Sequence, residues 1–202
     1  DAWVITRNTL LYNLAFIIIG TIISVFMAIL LNELGEKLRG KFFQSTLLFP
    51  HLLSWVVTSY LVYALLGATN GFVNNTILAG MGKEGIDWYS VKMYWPLILI
   101  IVYIWKNAGY TAIVYMAGIA GIDKEIFEAA RIDGASKIKQ IISITLPMLR
   151  PTVIIMTLMS IGRIFYSDFG LFYQVPMNSG MLFSVTQTID TYVYRGLMEQ
   201  GN

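Results

Sequence analysis

The sequence predicts an all-α, polytopic membrane helical bundle, and three observations predict it. Of 202 residues, 56% are hydrophobic and 13% charged, against about a quarter charged in an average soluble domain. Several uncharged runs exceed the roughly 20 residues that cross about 30 Å of hydrocarbon as a helix. Lysines and arginines gather in alternate connecting segments. So much apolar surface does not wrap around one aqueous core, and lipid is the solvent that suits it.

The first span is the uncharged run from Asn8 to Asn32. A second, from Phe42 to about Leu66, contains Pro50 and His51; neighbouring helices can satisfy the carbonyl that a proline frees, so one span kinked near Pro50 is expected. The third, from about Tyr94 to Ile122, is interrupted only by Lys106. The fourth starts near Pro151 and stays apolar until Arg163 and Asp168. Small residues four apart, Gly20 with Ser24 and Ala117 with Gly121, mark places where helices approach closely.

Between the spans, the segments Glu33 to Lys41 and Asp123 to Arg150 carry Lys37, Arg39, Lys41, Lys124, Arg131, Lys137, Lys139 and Arg150, while Gly67 to Lys92 carries only Lys83 and Lys92. The cation-rich segments are expected in the cytoplasm. The N-terminus and the region after Tyr173, whose only cation is Arg195, then lie outside. Trp3, Tyr12, Trp88, Tyr89, Tyr94 and Trp95 fall near the outer boundaries, where aromatic belts form. The chain starts at Asp1 and lacks a secretory leader pattern, so further spans are expected before Asp1 and after Asn202.

The segment from Asp123 to Pro147 is amphipathic and of helical length. Asp123 is an N-cap, Lys124 and Glu125 fill the first turn, and Ile126, Phe127, Ala129 and Ala130 form an apolar stripe that ends at Gly134. Gly134 supplies a left-handed terminator, Ser136 caps a second helix, and Ile138, Ile141, Ile142 and Leu146 repeat at helical spacing until Pro147 closes the unit. A helix, a glycine elbow and a second helix beside the membrane make either a knob for another protein's groove or a connector lying in the interface.

Glu128, Ala129, Ala130, Gly134, Ile144, Leu146 and Pro147 resemble the EAA loop of ATP-binding-cassette importer permeases, and Asp133 and Ala135 give the DGA form of the sugar-importer type. The resemblance covers nearly the whole chain. It implies a partial transmembrane permease domain over residues 1–202, with about four spans of a six-span core, in the bacterial cell membrane. Residues 123–147 would be its cytoplasmic coupling segment. There Glu128, Ala129, Ala130, Asp133, Gly134, Ala135, Leu146 and Pro147 would dock on a nucleotide-binding ATPase subunit, with Glu128 as contact acid and Gly134 as turn. The implied partners are that ATPase, a second homologous permease, an extracellular solute-binding protein and membrane lipid. ATP and magnesium would be bound by the ATPase, leaving no cofactor and no metal in this chain. The expected cargo is a sugar or complex oligosaccharide, with amino acids, peptides or inorganic anions as alternatives.

Other chemistries find little support. Gly82-Lys83 is followed by Glu84 and lacks the earlier glycine of a phosphate-binding loop, neither a zinc-protease motif nor a serine-hydrolase elbow is present, and His51 is the only histidine. No catalytic residue is assigned. The absence of cysteine from these residues excludes disulfides and thiolate sites within them. A net charge of +2 without a basic stripe does not point to nucleic acid. A channel or ion-driven carrier fits the spans but gives the EAA-like segment no purpose.

Lys106 lies about twelve residues into its span, near the bilayer centre and too deep to snorkel, and Arg163 falls at similar depth counted from Pro151. Lys106, Asn107 and Arg163 either line the substrate pathway or are buried structural partners. Trp105, Tyr110, Phe165, Tyr166, Phe169 and Tyr173 either stack on sugar rings or pack between helices. A positive midplane suits acidic sugars.

Overall fold

A computed structural model describes residues 2–35 and 38–198. Lys37 and the side chain of Arg39, both counted among the cytoplasmic cations, lie outside the described residues. Every regular element within them is helical. The α-helices are, in order, α1 (Ala2–Leu34), α2 (Leu38–Leu52), α3 (Trp55–Leu66), α4 (Trp95–Ala120), α5 (Lys124–Ile132), α6 (Lys137–Gln140), α7 (Leu146–Ile161), α8 (Phe169–Gln174), α9 (Phe183–Thr186) and α10 (Ile189–Met198). Three helical stretches are long and apolar enough to cross a membrane, Ala2–Leu34, Lys92–Ala120 and Lys137–Ile161, and α2 with α3 makes a fourth if counted as one span.

The expected single kinked span around Pro50 is instead two helices, broken at Leu53 and Ser54. Pro50 sits inside α2. The break follows it because Ser54 adopts an extended conformation and its hydroxyl accepts from the Val57 amide at 3.3 Å, starting a new helix. The fourth span also differs from expectation. It begins at Lys137, not near Pro151, and Pro147 does not close the preceding unit. Pro147 lies inside this continuous stretch, where a local π adjustment of the hydrogen bonding accommodates the N–H that a proline lacks. The chain reaches it through a widened π turn, Ile141–Thr145, whose end is marked by the Leu146 amide donating to the Ile141 carbonyl.

The chain divides into two compact units: Asp1–Phe16 with Leu53–Tyr103 and Arg163–Asn202, and Ile17–Leu52 with Ile104–Gly162. The core of the first is built from Tyr12, Phe16, Trp95, Leu99, Leu171 and Phe172, with Phe16 stacked on Tyr103 at 3.8 Å between ring centroids. A Cβ at Gly170 would overlap the Trp55 side chain, so glycine sets the approach of α8 to α3. Part of the expected aromatic belt is therefore core: Trp95 is fully buried with its indole N–H on the Trp88 carbonyl at 2.7 Å, and Tyr12 is buried with its hydroxyl on the Val185 carbonyl at 2.8 Å. Trp3 remains exposed.

In the same unit the segment between α3 and α4 is organised by buried Asn74, in a π turn spanning Val73–Leu78. Its amide nitrogen donates to the carbonyls of Ala68 (3.1 Å) and Ile86 (2.8 Å), and its oxygen accepts from the Ile86 amide (3.2 Å) and the Trp88 indole (2.8 Å). Burial, and secondarily Tyr63, pushes the Tyr89 phenol well above its ordinary pKa, and its hydroxyl donates to the Val175 carbonyl at 3.4 Å.

The second unit packs Ala28 of α1, Ala112, Tyr115 and Ile119 of α4, and Leu149 of α7 into one core. Helices come close at Gly109, where a Cβ would overlap the Leu47 carbonyl, and at Gly118, where one would press on the side chains of Leu149 and Thr152. The small pairs read from spacing are not these contacts. Gly20 has nothing within 4 Å of a would-be Cβ, and Ala117 and Gly121 are exposed. Van der Waals packing and hydrogen bonds hold helices together in lipid, and what a glycine faces matters more than its spacing.

Candidate functional site

The segment beginning at Asp123 folds as its caps dictate. The Asp123 carboxylate accepts from the Glu125 amide at 3.0 Å and opens α5. At the other end Gly134 has φ +77, its amide donates to Arg131 O at 3.0 Å, and the Ala135 amide donates to Ala130 O at 2.8 Å. This pair of bonds is the Schellman termination, and nothing lies within 4 Å of a Cβ built at Gly134. The Ser136 hydroxyl then accepts from the Lys139 amide at 3.4 Å to open α6, and the buried Gln140 side chain donates to Ala135 O at 2.9 Å, bracing the elbow.

Phe127 packs towards the core, while Glu128, Ala129, Asp133 and Gly134 are exposed and Ala130, Ala135 and Pro147 are partly buried. Leu146 is exposed on the next helix, and Ile132 at the elbow is 87% exposed. The elbow thus presents an acidic side chain, a glycine turn and bare apolar surface together. Beside it a cleft of about 400 Å³ is lined by Glu33, Lys124, Phe127, Glu128, Arg131 and Lys137 among others. Across its edge Lys137 pairs with Glu33 at 2.9 Å, a contact that spacing alone did not reveal.

In the same unit Lys106 is 5% exposed and its ammonium donates to the carbonyls of Pro50 and His51, each at 3.2 Å. These are carbonyls of the last turn of α2, which lack an intrahelical partner, so the cation caps a helix end whose dipole favours it. Asn107 is half-buried on α4. Tyr110 stacks on His51 with 4.6 Å between centroids.

In the other unit Arg163 and Tyr166 lie beyond α7, which ends at Ile161, so Arg163 is not inside a spanning helix as the hydropathy suggested. Both are exposed, Tyr166 to 70%. Asn13 of α1 donates through Nδ2 to the carbonyls of Ile164 (2.9 Å) and Tyr166 (3.0 Å). The Asp190 carboxylate accepts from the Ser167 amide (2.5 Å) and hydroxyl (2.6 Å). Sequence reasoning missed Asn13, Ser167 and Asp190; the only signal was Asn13, a polar residue within an apolar run. Phe169 and Tyr173, candidates for stacking on sugars, instead stack on each other at 4.9 Å and pack on Tyr194. Among the described residues no group of His, Asp and Glu assembles as a metal ligand set.

Residues 20–195 match the family described as binding-protein-dependent transport system inner membrane component. The chain is 30% identical over 199 residues to the polygalacturonan/rhamnogalacturonan transport system permease protein YteP of Bacillus subtilis, covering 98% of this chain and 61% of that protein. It is 30% identical over 194 residues to the lactose transport system permease protein LacF of Rhizobium radiobacter, covering 95% of this chain and 64% of that one. It spans less than two thirds of the length of these curated relatives. A crystal structure of a bacterial ABC transporter involved in the import of the acidic polysaccharide alginate contains a chain with the same fold, at a TM-score of 0.91 and 28% identity over 98% of this chain and 68% of that chain. The fold, the membrane location and the match over most of its length agree: this chain belongs to the family of binding-protein-dependent transport system inner membrane components.

Proposed function

We propose that this chain is the transmembrane permease subunit of an ATP-driven importer for sugars or complex oligosaccharides, with acidic oligosaccharides as the cargo favoured. The observation that carries the reading is the exposed elbow from Asp123 to Leu146, in which Glu128 and the Gly134 turn stand out from a capped helix anchored to the core by Phe127. In this reading Glu128, Ala129, Ala130, Asp133, Gly134, Ala135, Leu146 and Pro147 form the docking face for a cytoplasmic ATPase. ATP and magnesium are held by that subunit, and no hydrolysis takes place in this chain. Closure of the ATPase pair moves the elbows, and the helices joined to them rock between outward-open and inward-open states. A second permease completes the pathway, and a solute-binding protein outside delivers the cargo.

Arg163 and Tyr166, exposed on a non-helical turn, and Asn107, half-buried on α4, are proposed to meet the cargo. Lys106 contributes by fixing the end of α2. The cargo class is supported by one relative named for polygalacturonan and rhamnogalacturonan transport, by another named for arabinooligosaccharides, and by the similarity to a chain of an alginate importer, with the Arg163 cation suited to uronates.

The test is co-purification of the full-length protein with the products of its neighbouring genes, followed by ATPase assays with binding protein and candidate oligosaccharides. A stable complex whose hydrolysis rises with a uronate oligosaccharide supports the reading. Recovery of no ATPase subunit overturns it, and stimulation by neutral oligosaccharides alone removes the acidic preference.

A further inference from the structure

From Arg163 to Asp168 the backbone is not helical. Irregular backbone in a membrane protein persists where it is buried in protein or lines a watery cavity, and its polar groups still need partners. Here two side chains supply them. Asn13 takes the carbonyls of Ile164 and Tyr166, and Asp190 takes the amide and hydroxyl of Ser167. The Ser167 hydroxyl also lies 2.7 Å from the Thr188 hydroxyl.

The two anchors are themselves tied together. Thr9, one turn before Asn13 on α1 and thus on the same face, accepts from the Ile189 amide at 3.1 Å, next to Asp190. Neighbouring Asn8 donates to the carbonyls of Ser184 and Gln187 at 3.2 and 3.0 Å. A polar stripe on α1 therefore grips both the turn and the start of α10. The gripped atoms are main-chain groups and one hydroxyl, which leaves the side chains of Arg163, Phe165 and Tyr166 exposed.

We propose that Asn13 and Asp190 are positioning residues: they fix the Arg163–Asp168 turn and thereby the direction in which Arg163 and Tyr166 meet the cargo. The proposal rests on the importer reading above. Asp190 acts as a hydrogen-bond acceptor, so an amide in its place retains the role and an alkyl group loses it.

The test uses the full-length protein assembled with its partner subunits in proteoliposomes, with a uronate pentasaccharide delivered by the binding protein. Asn13→Leu and Asp190→Leu are each expected to raise the half-saturating pentasaccharide concentration about tenfold, the scale of one lost hydrogen bond, more than they lower maximal uptake; Asp190→Asn stays close to wild type. A fall in maximal uptake with half-saturation unmoved overturns the proposal, as does an Asp190→Asn variant as impaired as Asp190→Leu. If Asn13→Leu does not assemble, Ser167→Ala carries the same expectation, and an unshifted half-saturation there overturns it. A spin label at Phe165→Cys reads the turn without cargo. Its mobility should rise with Asp190→Leu and not with Asp190→Asn, and equal mobility overturns the proposal. Mobilisation of the label with no wild-type uptake of any oligosaccharide overturns the cargo reading and supports the positioning role.

Discussion

The Lys106 ammonium donates to the Pro50 carbonyl at 3.2 Å, and to the next carbonyl, His51, at the same distance. A cation from α4 thereby closes the end of α2, replacing the intrahelical partners that a broken helix leaves out.

Replacing Lys106 with methionine keeps much of the volume and removes both donations. The expected loss is about 2 kcal/mol, the scale of a charged hydrogen bond to a buried acceptor, partly offset by no longer burying a charge. Detergent-purified Lys106→Met should melt several degrees below wild type, with Lys106→Arg between the two. An unchanged melting temperature would show that the cap contributes nothing.

Gly109 and Gly20 make a contrast within one fold. A Cβ at Gly109 meets the Leu47 backbone, whereas one at Gly20 meets nothing within 4 Å. Gly109→Ala should force α2 and α4 apart and lower thermal stability, by about 1–3 kcal/mol as for an overpacked core. Gly20→Ala should be neutral or stabilising by up to about 1 kcal/mol, because glycine in a helix interior costs entropy. Equal melting temperatures for the two variants would remove the close approach as an explanation for Gly109.

The same contrast shows what was legible from sequence. The Asp123 cap, the Gly134 turn and the Ser136 cap could be read directly, because each is encoded within a few residues and is satisfied by neighbouring backbone. The break after Pro50 is legible only in part, since the Ser54 cap that opens α3 is equally local but the group that closes α2 lies 55 residues away from His51. Asn13 and Tyr166 are 153 residues apart, so a lone asparagine in an apolar run carries no sign of the turn it holds. Trp95 and Tyr12 sit in the sequence where a belt would form, and hydropathy does not show that the chain folds back over them. Spans thus follow from composition, while the irregular segments that distinguish this fold depend on distant partners.

Gly134 has φ +77 with open space around it, so substitution is penalised by backbone conformation alone. A β-branched residue there should cost at least about 1–2 kcal/mol or redirect the elbow. Gly134→Val is expected to lower cargo taken up per ATP hydrolysed in the assembled transporter, while Gly134→Asn, which tolerates the left-handed region, retains more coupling. Wild-type coupling in the valine variant would separate the elbow from transmission.

Asn74 uses both amide donors and accepts twice through its oxygen, so alanine abandons four bonds in a buried position. Water that enters the gap recovers some of them, which sets the expected loss at about 2 kcal/mol. The segment between α3 and α4 should loosen, and trypsin should cut at the exposed Lys83 faster in Asn74→Ala than in wild type. Equal cleavage rates would show that the segment is held by other contacts, such as the Trp95 indole on Trp88.

Orientation in the membrane follows from charge position. Lys41, Lys124, Arg131, Lys137 and Lys139 belong to segments expected inside, and Lys83 to one expected outside, because translocating cations against the membrane potential is unfavourable. The chain has no cysteine of its own, so single cysteines report cleanly within it, and Lys83 and Lys139 are both exposed. A membrane-impermeant maleimide should label Lys83→Cys in intact spheroplasts and Lys139→Cys only after permeabilisation. The reverse pattern would invert the topology and put the Gly134 elbow on the side where no ATPase can reach it, and the importer reading would fail with it. Labelling of both in intact cells would mean that the two segments lie on one side, and would overturn the reading of α4 as a crossing between them.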